Sequence, residues 1–191
     1  MSNFFDKIAP HYDAIPCLLR INYPLVDEMT VKAENHILDV GGGNGRLAHE
    51  IVDTTGARVS IIDSSKKMLN QVKDHPRIEV ICGSIVKNDF QDCNFDIITC
   101  VDTIHHLKNP QAALEEMYRI LKPGGKIFIQ DFNSLRIRTK LLKLVEKHLL
   151  AEPANFYSPK ELEEVSKKVG FLGESKSILK IQYLYKGKKY E

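Results

Sequence analysis

A glycine-rich turn in residues 37–51, ILDVGGGNGRLAHEI, constrains the fold of this chain more than any other feature. Its four glycines separate an apolar run from a run with helical periodicity. Glycine has no side chain, so such a turn adopts positive φ angles and lets a ligand approach the backbone. Each glycine costs about 0.5–1 kcal/mol in regular structure, which favours a ligand site over a purely structural turn.

Short apolar runs rich in β-branched residues alternate with helical patterns along the chain. This alternation is typical of βαβ units, and it predicts an α/β fold with a mostly parallel sheet. Two further β-like runs between residues 171 and 190 predict an antiparallel hairpin that closes the sheet. The five preceding strands are predicted at HILDV, RVSIID, RIEVIC, FDIITCV and KIFIQDF.

Local signals mark where several elements begin and end. Asn109 and Pro110 can cap and start one helix, after which LKPGG separates it from a strand beginning at Lys126. The run 158–161, SPKE, has the form of a capping box. Gly170 is placed to end the helix that this box begins.

Charge and composition exclude several classes of protein. The 191 residues include 27 basic and 25 acidic side chains, so no overall field favours nucleic acid. No run of about 18 apolar residues occurs, and we expect at most peripheral membrane contact and a cytoplasmic location. The four cysteines lack CxxC spacing, and we predict no metal site.

The glycine turn is compatible with two kinds of nucleotide cofactor. Gly43-x-Gly45-x-x-Ala48, with Asp63 twenty positions after the first glycine, resembles a dinucleotide fingerprint. Asp39 at the strand end would repel the pyrophosphate of a dinucleotide. The same carboxylate would attract the sulfonium and ammonium groups of S-adenosylmethionine. Charge therefore favours S-adenosylmethionine.

A series of motifs then resembles class I S-adenosylmethionine-dependent methyltransferases of the small-molecule type. The first motif is DVGGGNG, and DSSKKML and CGS follow at the ends of the second and third predicted strands. FDIITCVDTIHHLKNPQAALEEMYRILKPGG and KIFIQDF complete the series, which spans about residues 37–132. The resemblance implies a Rossmann-like, doubly wound sheet of seven strands, with S-adenosylmethionine as cofactor and S-adenosylhomocysteine as product.

The resemblance also implies one methyltransferase domain over residues 1–191. Residues 1–33 would form a helical lid and residues 34–132 the cofactor-binding core. Residues 133–157 would form a cap over the substrate, and residues 158–191 the last helix and the hairpin.

Within this resemblance, most candidate site residues bind the cofactor. Asp39, Gly41, Gly43 and Gly45 would hold its methionine part, and Asp63 would accept hydrogen bonds from the ribose hydroxyls. The remaining implied contacts are with Ser64, Met68, Ser84, Ile85, Val101 and Tyr12.

Ser84 departs from the family pattern, which usually has an aspartate that accepts from the adenine amino group. A serine offers a shorter and neutral acceptor, so this contact is expected to be weaker. The backbone N–H of Ile85 can still bind the ring, and Tyr12 can close over the methionine part.

Two histidines follow the fourth predicted strand, where family members meet their substrate. We predict that His105 lies near the pocket as a candidate general base and that His106 is structural. Asp102, Asp131 and Asn133 resemble the ligands of magnesium-dependent catechol methylation, but Phe132 splits the expected Asp-Asn pair, which disfavours a metal.

The acceptor is expected to be a small molecule, and a lipophilic one agrees with two features. The opening FFDKIAPHYDAI resembles enzymes that C-methylate quinone precursors. SLRIRTKLLKLVEKHLL predicts a basic amphipathic helix that could cover such an acceptor, although packing against the core is its commoner use. A non-catalytic cofactor-binding regulator and a nicotinamide oxidoreductase remain alternatives.

Overall fold

The computed structural model describes residues 4–10, 24–136, 155–178 and 181–190. Its centre is one seven-stranded sheet with the order β3-β2-β1-β4-β5-β7-β6. The strands are β1 His36–Val40, β2 Arg58–Asp63, β3 Ile78–Cys82, β4 Phe95–Val101, β5 Leu121–Phe132, β6 Phe171–Ser177 and β7 Gln182–Lys189.

Strands β1 to β5 are parallel to one another, and β7 runs antiparallel to both β5 and β6. The predicted α/β, Rossmann-like sheet with its C-terminal hairpin is therefore confirmed. The helices are α1 Phe4–Ile8, α2 Leu25–Glu28, α3 Arg46–Thr55, α4 Lys66–Leu69, α5 Pro110–Ile120 and α6 Pro159–Val169. The division into lid, core, cap and C-terminal unit stays a prediction.

The central strands β1, β2 and β4 are buried, and their neighbouring residues point to opposite faces of the sheet, each of which is covered by helices. In β1, Ile37 joins the cluster that includes residues of α2 and α3, whereas Leu38 joins the cluster that includes residues of α5 and α6. Both side chains are fully buried. Apolar strands covered by helices on each face thus fix the positions of the strand ends.

The predicted helix boundaries at α5 and α6 are confirmed by their caps. The Asn109 side chain accepts from the N–H of Ala112 at 3.1 Å, and Pro110 is the first residue of α5. Ser158 and Glu161 form a reciprocal capping box at the start of α6. Gly170 ends this helix with φ +119, a value that glycine adopts readily.

Two predicted boundaries were wrong. The strand expected from Lys126 already begins at Leu121, which pairs with Phe95, and a register shift follows before Ile97 pairs with Lys126. The KPGG segment therefore forms a β-bulge within β5. The helical pattern after Ser65 gives only one α-turn, because Gln71 and Val72 donate to carbonyls three residues back rather than four.

Several expectations lie outside the described residues, namely those on Tyr12 and on the amphipathic helix from 137 to 149. In the described part of the chain, no helix has both the length and the apolar character that crossing a membrane requires.

Replacing Ser158 with alanine removes the side-chain acceptor of the capping box. We expect the free energy of unfolding to fall by about 1 kcal/mol, measured by urea denaturation. Ser158→Asp keeps an acceptor and should stay close to the unaltered protein. Equal losses for the two variants would contradict a role for the cap.

Candidate functional site

A cleft opens at the carboxyl ends of β1 to β4, where the order of strands along the sheet reverses. Open α/β sheets bind their ligands at this kind of position, because the loops on its two sides run in opposite directions. The cleft is lined by Phe5, Asp39, Val40, Gly41, Gly42, Gly43, Asn44, Arg46, Leu47, Ile62, Asp63, Ser64, Met68, Gly83, Ser84, Ile85, Val101, Asp102, Thr103, His106 and Leu107.

The glycine turn crosses the floor of this cleft in a conformation that other residues rarely adopt. Gly41, Gly43 and Gly45 have φ angles of +71°, +55° and +76°. A Cβ at Gly41 would collide with the side chain of Thr103, and one at Gly45 would lie 2.9 Å from Cγ1 of Val72. Glycine is therefore required both by the backbone and by its neighbours. Gly41 and Gly43 line the cleft, whereas Gly45 is not among its lining residues and is the N-cap residue of α3.

Asp39 is a buried carboxylate at the end of β1, with 2% of its surface exposed. Its Oδ1 accepts a hydrogen bond of 2.8 Å from Oγ1 of Thr99. Its Oδ2 is also buried and has no hydrogen-bond partner among the described residues. Burial and, to a smaller extent, the charge of Asp63 raise the pKa of Asp39 to about 6 against the opposing hydrogen bond from Thr99. A cationic ligand would satisfy this oxygen.

Asp63 ends β2 and faces the same cleft. Its Oδ2 accepts from the N–H of Gly43 at 3.0 Å, and its Oδ1 accepts from the N–H of Ser65 at 2.7 Å. Burial raises the pKa of Asp63, and these two backbone hydrogen bonds oppose the rise. The two bonds fix the carboxylate, whose oxygens each have a second lone pair for a hydroxyl donor.

The predicted adenine side of the site lies beyond Asp63. Ser64, Met68, Ser84 and Ile85 all line the cleft, as the sequence indicated. Met68 and Ile85 are 2% and 3% exposed and offer apolar surface. Ser84 follows β3 and is among the residues that line the cleft.

Acidic groups outnumber basic ones among the described residues that line the cleft. Asp39, Asp63 and Asp102 are acidic, whereas Arg46 and His106 carry the basic side chains. Such a field favours a positively charged ligand and opposes a pyrophosphate.

The structure reverses the expected placement of the two histidines. His106 lines the cleft, whereas His105 is 1% exposed and does not. Nδ1 of His105 lies 2.6 Å from Oδ1 of Asp131, and its ring stacks on Phe156 at 4.4 Å between centroids. Both histidines belong to the 3-10 turn Ile104–His106, where successive side chains point about 120° apart.

Helix α1 reaches the cleft from the N-terminal part of the chain. Asp6 accepts from Oγ of Ser65 at 2.7 Å, and Gln71 donates to the carbonyl of Ala9 at 2.6 Å. The ring of Phe5 lines the cleft and meets His106 edge to face, with centroids 5.1 Å apart. This contact joins the predicted lid to the loop after β4.

Several lining residues were missed by the sequence reasoning or given another role. Arg46 and Thr103 were not assigned, although each closely follows a predicted strand end, which was the available signal. Asp102 was considered only as a metal ligand. In the structure its Oδ1 accepts from Gln182 at 2.7 Å.

Among the described residues, no three His, Cys, Asp or Glu side chains lie close enough together to form a metal site. Val101 lines the cleft as expected.

The fold and the cleft together define a Rossmann-like protein with an acidic, glycine-floored cleft at the carboxyl ends of its strands. A family model described as "Methyltransferase domain" matches residues 38–129. A demethylmenaquinone methyltransferase of Chlorobaculum tepidum is 31% identical over 169 residues, which cover 82% of this chain and 70% of that protein. The chain belongs to the S-adenosylmethionine-dependent methyltransferase family.

A second relative, the demethylmenaquinone methyltransferase of Paenarthrobacter aurescens, is 33% identical over 70% of this chain. The match spans only 55% of that relative's length. Among solved structures, phosphoethanolamine N-methyltransferase 2 of Haemonchus contortus, in complex with S-adenosyl-L-methionine, has a TM-score of 0.79 at 18% identity. That match covers 97% of this chain and 57% of the other, and it shows the shared fold.

Substitutions at two glycines with nearly equal φ angles distinguish the cost of backbone strain from the cost of a steric clash. Gly124 has φ +75° and would have no atom within 4 Å of an added Cβ, whereas Gly41 has φ +71° and faces Thr103. We expect Gly124→Ala to lower the free energy of unfolding by about 1 kcal/mol, from left-handed backbone strain alone. Gly41→Ala should lower it by about 1–3 kcal/mol more, because of overpacking. Equal losses in urea denaturation would contradict the close approach.

Proposed function

We propose that this protein transfers the methyl group of S-adenosylmethionine to a small-molecule acceptor. The observation that carries the proposal is Oδ2 of Asp39, buried beside the glycine turn without a partner among the described residues. A buried carboxylate oxygen in this condition costs free energy unless a ligand binds it. The ammonium group of S-adenosylmethionine would supply both the charge and the hydrogen bond.

The strand order supports a single orientation of the cofactor. Neighbouring strands lie about 4.8 Å apart, so the ends of β3, β2 and β1 form a row. Ser84 and Ile85 follow β3, Asp63 ends β2, and the glycine turn follows β1. Adenine, ribose and the methionine part would bind in this order, with the ribose hydroxyls donating to Asp63.

S-adenosylmethionine, when bound, supplies a methyl group already activated by its sulfonium. The chain then has to hold the acceptor in line at about 3–3.5 Å and to exclude water. Phe5, His106 and Leu107 line the cleft from α1 and from the loop after β4, and would form this acceptor end.

His106 rather than His105 is the better candidate for a general base. It lines the cleft, and histidine is the side chain that most often serves as a general base. His105 lies behind it, paired with Asp131, and would position the 3-10 turn that carries His106. A base is needed only where the acceptor loses a proton during the transfer.

The relatives suggest the kind of acceptor. Both reported relatives are named demethylmenaquinone methyltransferases. The aromatic and apolar side chains of Phe5 and Leu107 at the acceptor end agree with a small lipophilic ring compound. A nicotinamide dinucleotide agrees less well, because its pyrophosphate would face Asp39 and Asp63.

Isothermal titration calorimetry tests this proposal through the ribose contact. We expect saturable binding of S-adenosylmethionine and S-adenosylhomocysteine, and no binding of NADH. Asp63→Ala should weaken both ligands at least about tenfold, because it removes a charge-assisted hydrogen-bond acceptor. Asp53→Asn, at an exposed position of α3, is the control and should change neither. Unaltered affinity in Asp63→Ala would refute the site assignment.

The raised pKa of Asp39 predicts that affinity depends on pH. Above pH 6 the carboxylate is charged and attracts the ligand's ammonium, and it becomes neutral as the pH falls through about 6. Affinity for S-adenosylhomocysteine should therefore fall between pH 7.5 and pH 5, and Asp39→Asn should be weaker at pH 7.5 and vary less. In the free protein the same raised pKa stabilises the fold as the pH falls through this range. An equal pH profile in Asp39→Asn would argue against this role.

A further inference from the structure

Thr99 lies beside Asp39 in the interior of the sheet. The two residues are paired across β1 and β4, so their side chains point to the same face. Oγ1 of Thr99 donates to Oδ1 of Asp39 at 2.8 Å, and Thr99 is fully buried. A second acceptor, the carbonyl of Leu38, lies 3.4 Å from the same oxygen. Because a hydroxyl has one proton, it donates to the nearer and charged acceptor when Asp39 is ionised.

This hydrogen bond also decides which oxygen of the carboxylate is available to a ligand. While Thr99 holds Oδ1 of Asp39, Oδ2 lies against the glycine turn, where a Cβ added at Gly42 would be only 2.6 Å from it. Oδ2 is buried and has no hydrogen-bond partner among the described residues. Thr99 therefore directs the unpartnered oxygen toward the turn that lines the cleft.

Charged groups on two neighbouring elements act on Asp39 as well. Asp63 on β2 raises the pKa of Asp39, whereas Arg46 on α3 lowers it. Burial raises the pKa of the Cys100 thiol, on the next residue of β4, well above its ordinary value, so this thiol stays neutral. Of the interactions that lower the pKa of Asp39, the hydrogen bond from Thr99 is the largest.

We propose that Thr99 is a positioning residue that orients the Asp39 carboxylate toward the cofactor's ammonium group and stabilises its negative charge. Thr99 is not among the described residues that line the cleft, so it acts through Asp39. This inference rests on the proposed function, because that proposal assigns Asp39 to the ammonium group. It adds that the neighbouring strand β4 sets the pH range in which the site binds its ligand.

Thr99→Val tests this role, because valine keeps the branched shape and strand preference of threonine but has no hydroxyl. The titration of the Asp39 carboxyl carbon is followed by nuclear magnetic resonance in the free protein. We expect the midpoint to rise by about one pH unit, because a hydrogen bond to the charged form is lost. Thr99→Ser keeps the hydroxyl and should titrate like the unaltered protein.

Calorimetry with S-adenosylhomocysteine gives a second readout, which a merely structural role of Thr99 would not produce. At pH 6.5 the charged fraction of Asp39 should fall from about three quarters to about one quarter in Thr99→Val. We therefore expect binding about threefold weaker than in the unaltered protein. At pH 8.5 Asp39 is charged in both proteins, and the difference should shrink to less than about twofold.

Thr55→Val is the matched control for these measurements. It removes a threonine hydroxyl that donates to the carbonyl of Ile51 at 2.7 Å, in the last turn of α3 and away from the cleft. We expect this variant to bind S-adenosylhomocysteine like the unaltered protein at both pH values. Thr99→Ser should also restore binding at pH 6.5.

Three results in Thr99→Val would each overturn the inference: an unchanged titration of Asp39, no loss of affinity at pH 6.5, or losses of equal size at both pH values. In these cases the unaltered protein would still bind S-adenosylhomocysteine, and the proposed function would stand. Failure of the unaltered protein to bind this ligand would instead refute the proposed function, and the inference with it. A raised midpoint with a loss confined to low pH, both reversed in Thr99→Ser, would support the inference.

Discussion

A buried carboxylate at the end of β1 is the constraint on which the rest of the site depends. Asp39 is almost fully removed from water, and its Oδ1 accepts a hydrogen bond from a neutral hydroxyl, that of Thr99. A carboxyl group in such a place has a raised pKa unless a cation binds to it and stabilises the ionised form. Three carboxylates line the cleft, so the preference for a cationic ligand extends along the strand ends. A cationic, phosphate-free nucleoside meets these demands, whereas a dinucleotide would add negative charge to them.

The sheet supplies the rigidity that such a site requires. Two apolar clusters pack on its opposite faces and join β1, β2 and β4 to the covering helices at the density of a protein core. Gly41 allows the turn to pass within contact distance of Thr103 on the loop after β4. Asp102 is held from β5 and, through Gln182, from β7. The C-terminal hairpin therefore contributes to the cleft although none of its described residues lines it.

The parts of the fold that were predicted correctly depend on local signals. The capping box at Ser158, the glycine that ends α6 and the apolar strands are each encoded within a few residues. Asp39 and Asp63 could be assigned to the cleft because they end predicted parallel strands, which meet at one edge of the sheet. The placement of His105 and His106 could not be predicted, because it depends on the direction of a short 3-10 turn and on Asp131 and Phe156. The hydrogen bond between Gln182 and Asp102 joins residues 80 positions apart in the sequence, and no local pattern predicts it.

The most direct measurement is the pKa of the Asp39 carboxyl group, with and without S-adenosylhomocysteine. Nuclear magnetic resonance gives this pKa through the chemical shift of the carboxyl carbon as the pH is varied. In the free protein we expect a value near 6. Binding should lower it well below that value, because the ligand's ammonium stabilises the charged form. A pKa that stays near 6 or rises when the cleft is filled would contradict the account, since the buried carboxylate would then not be the group that selects the ligand.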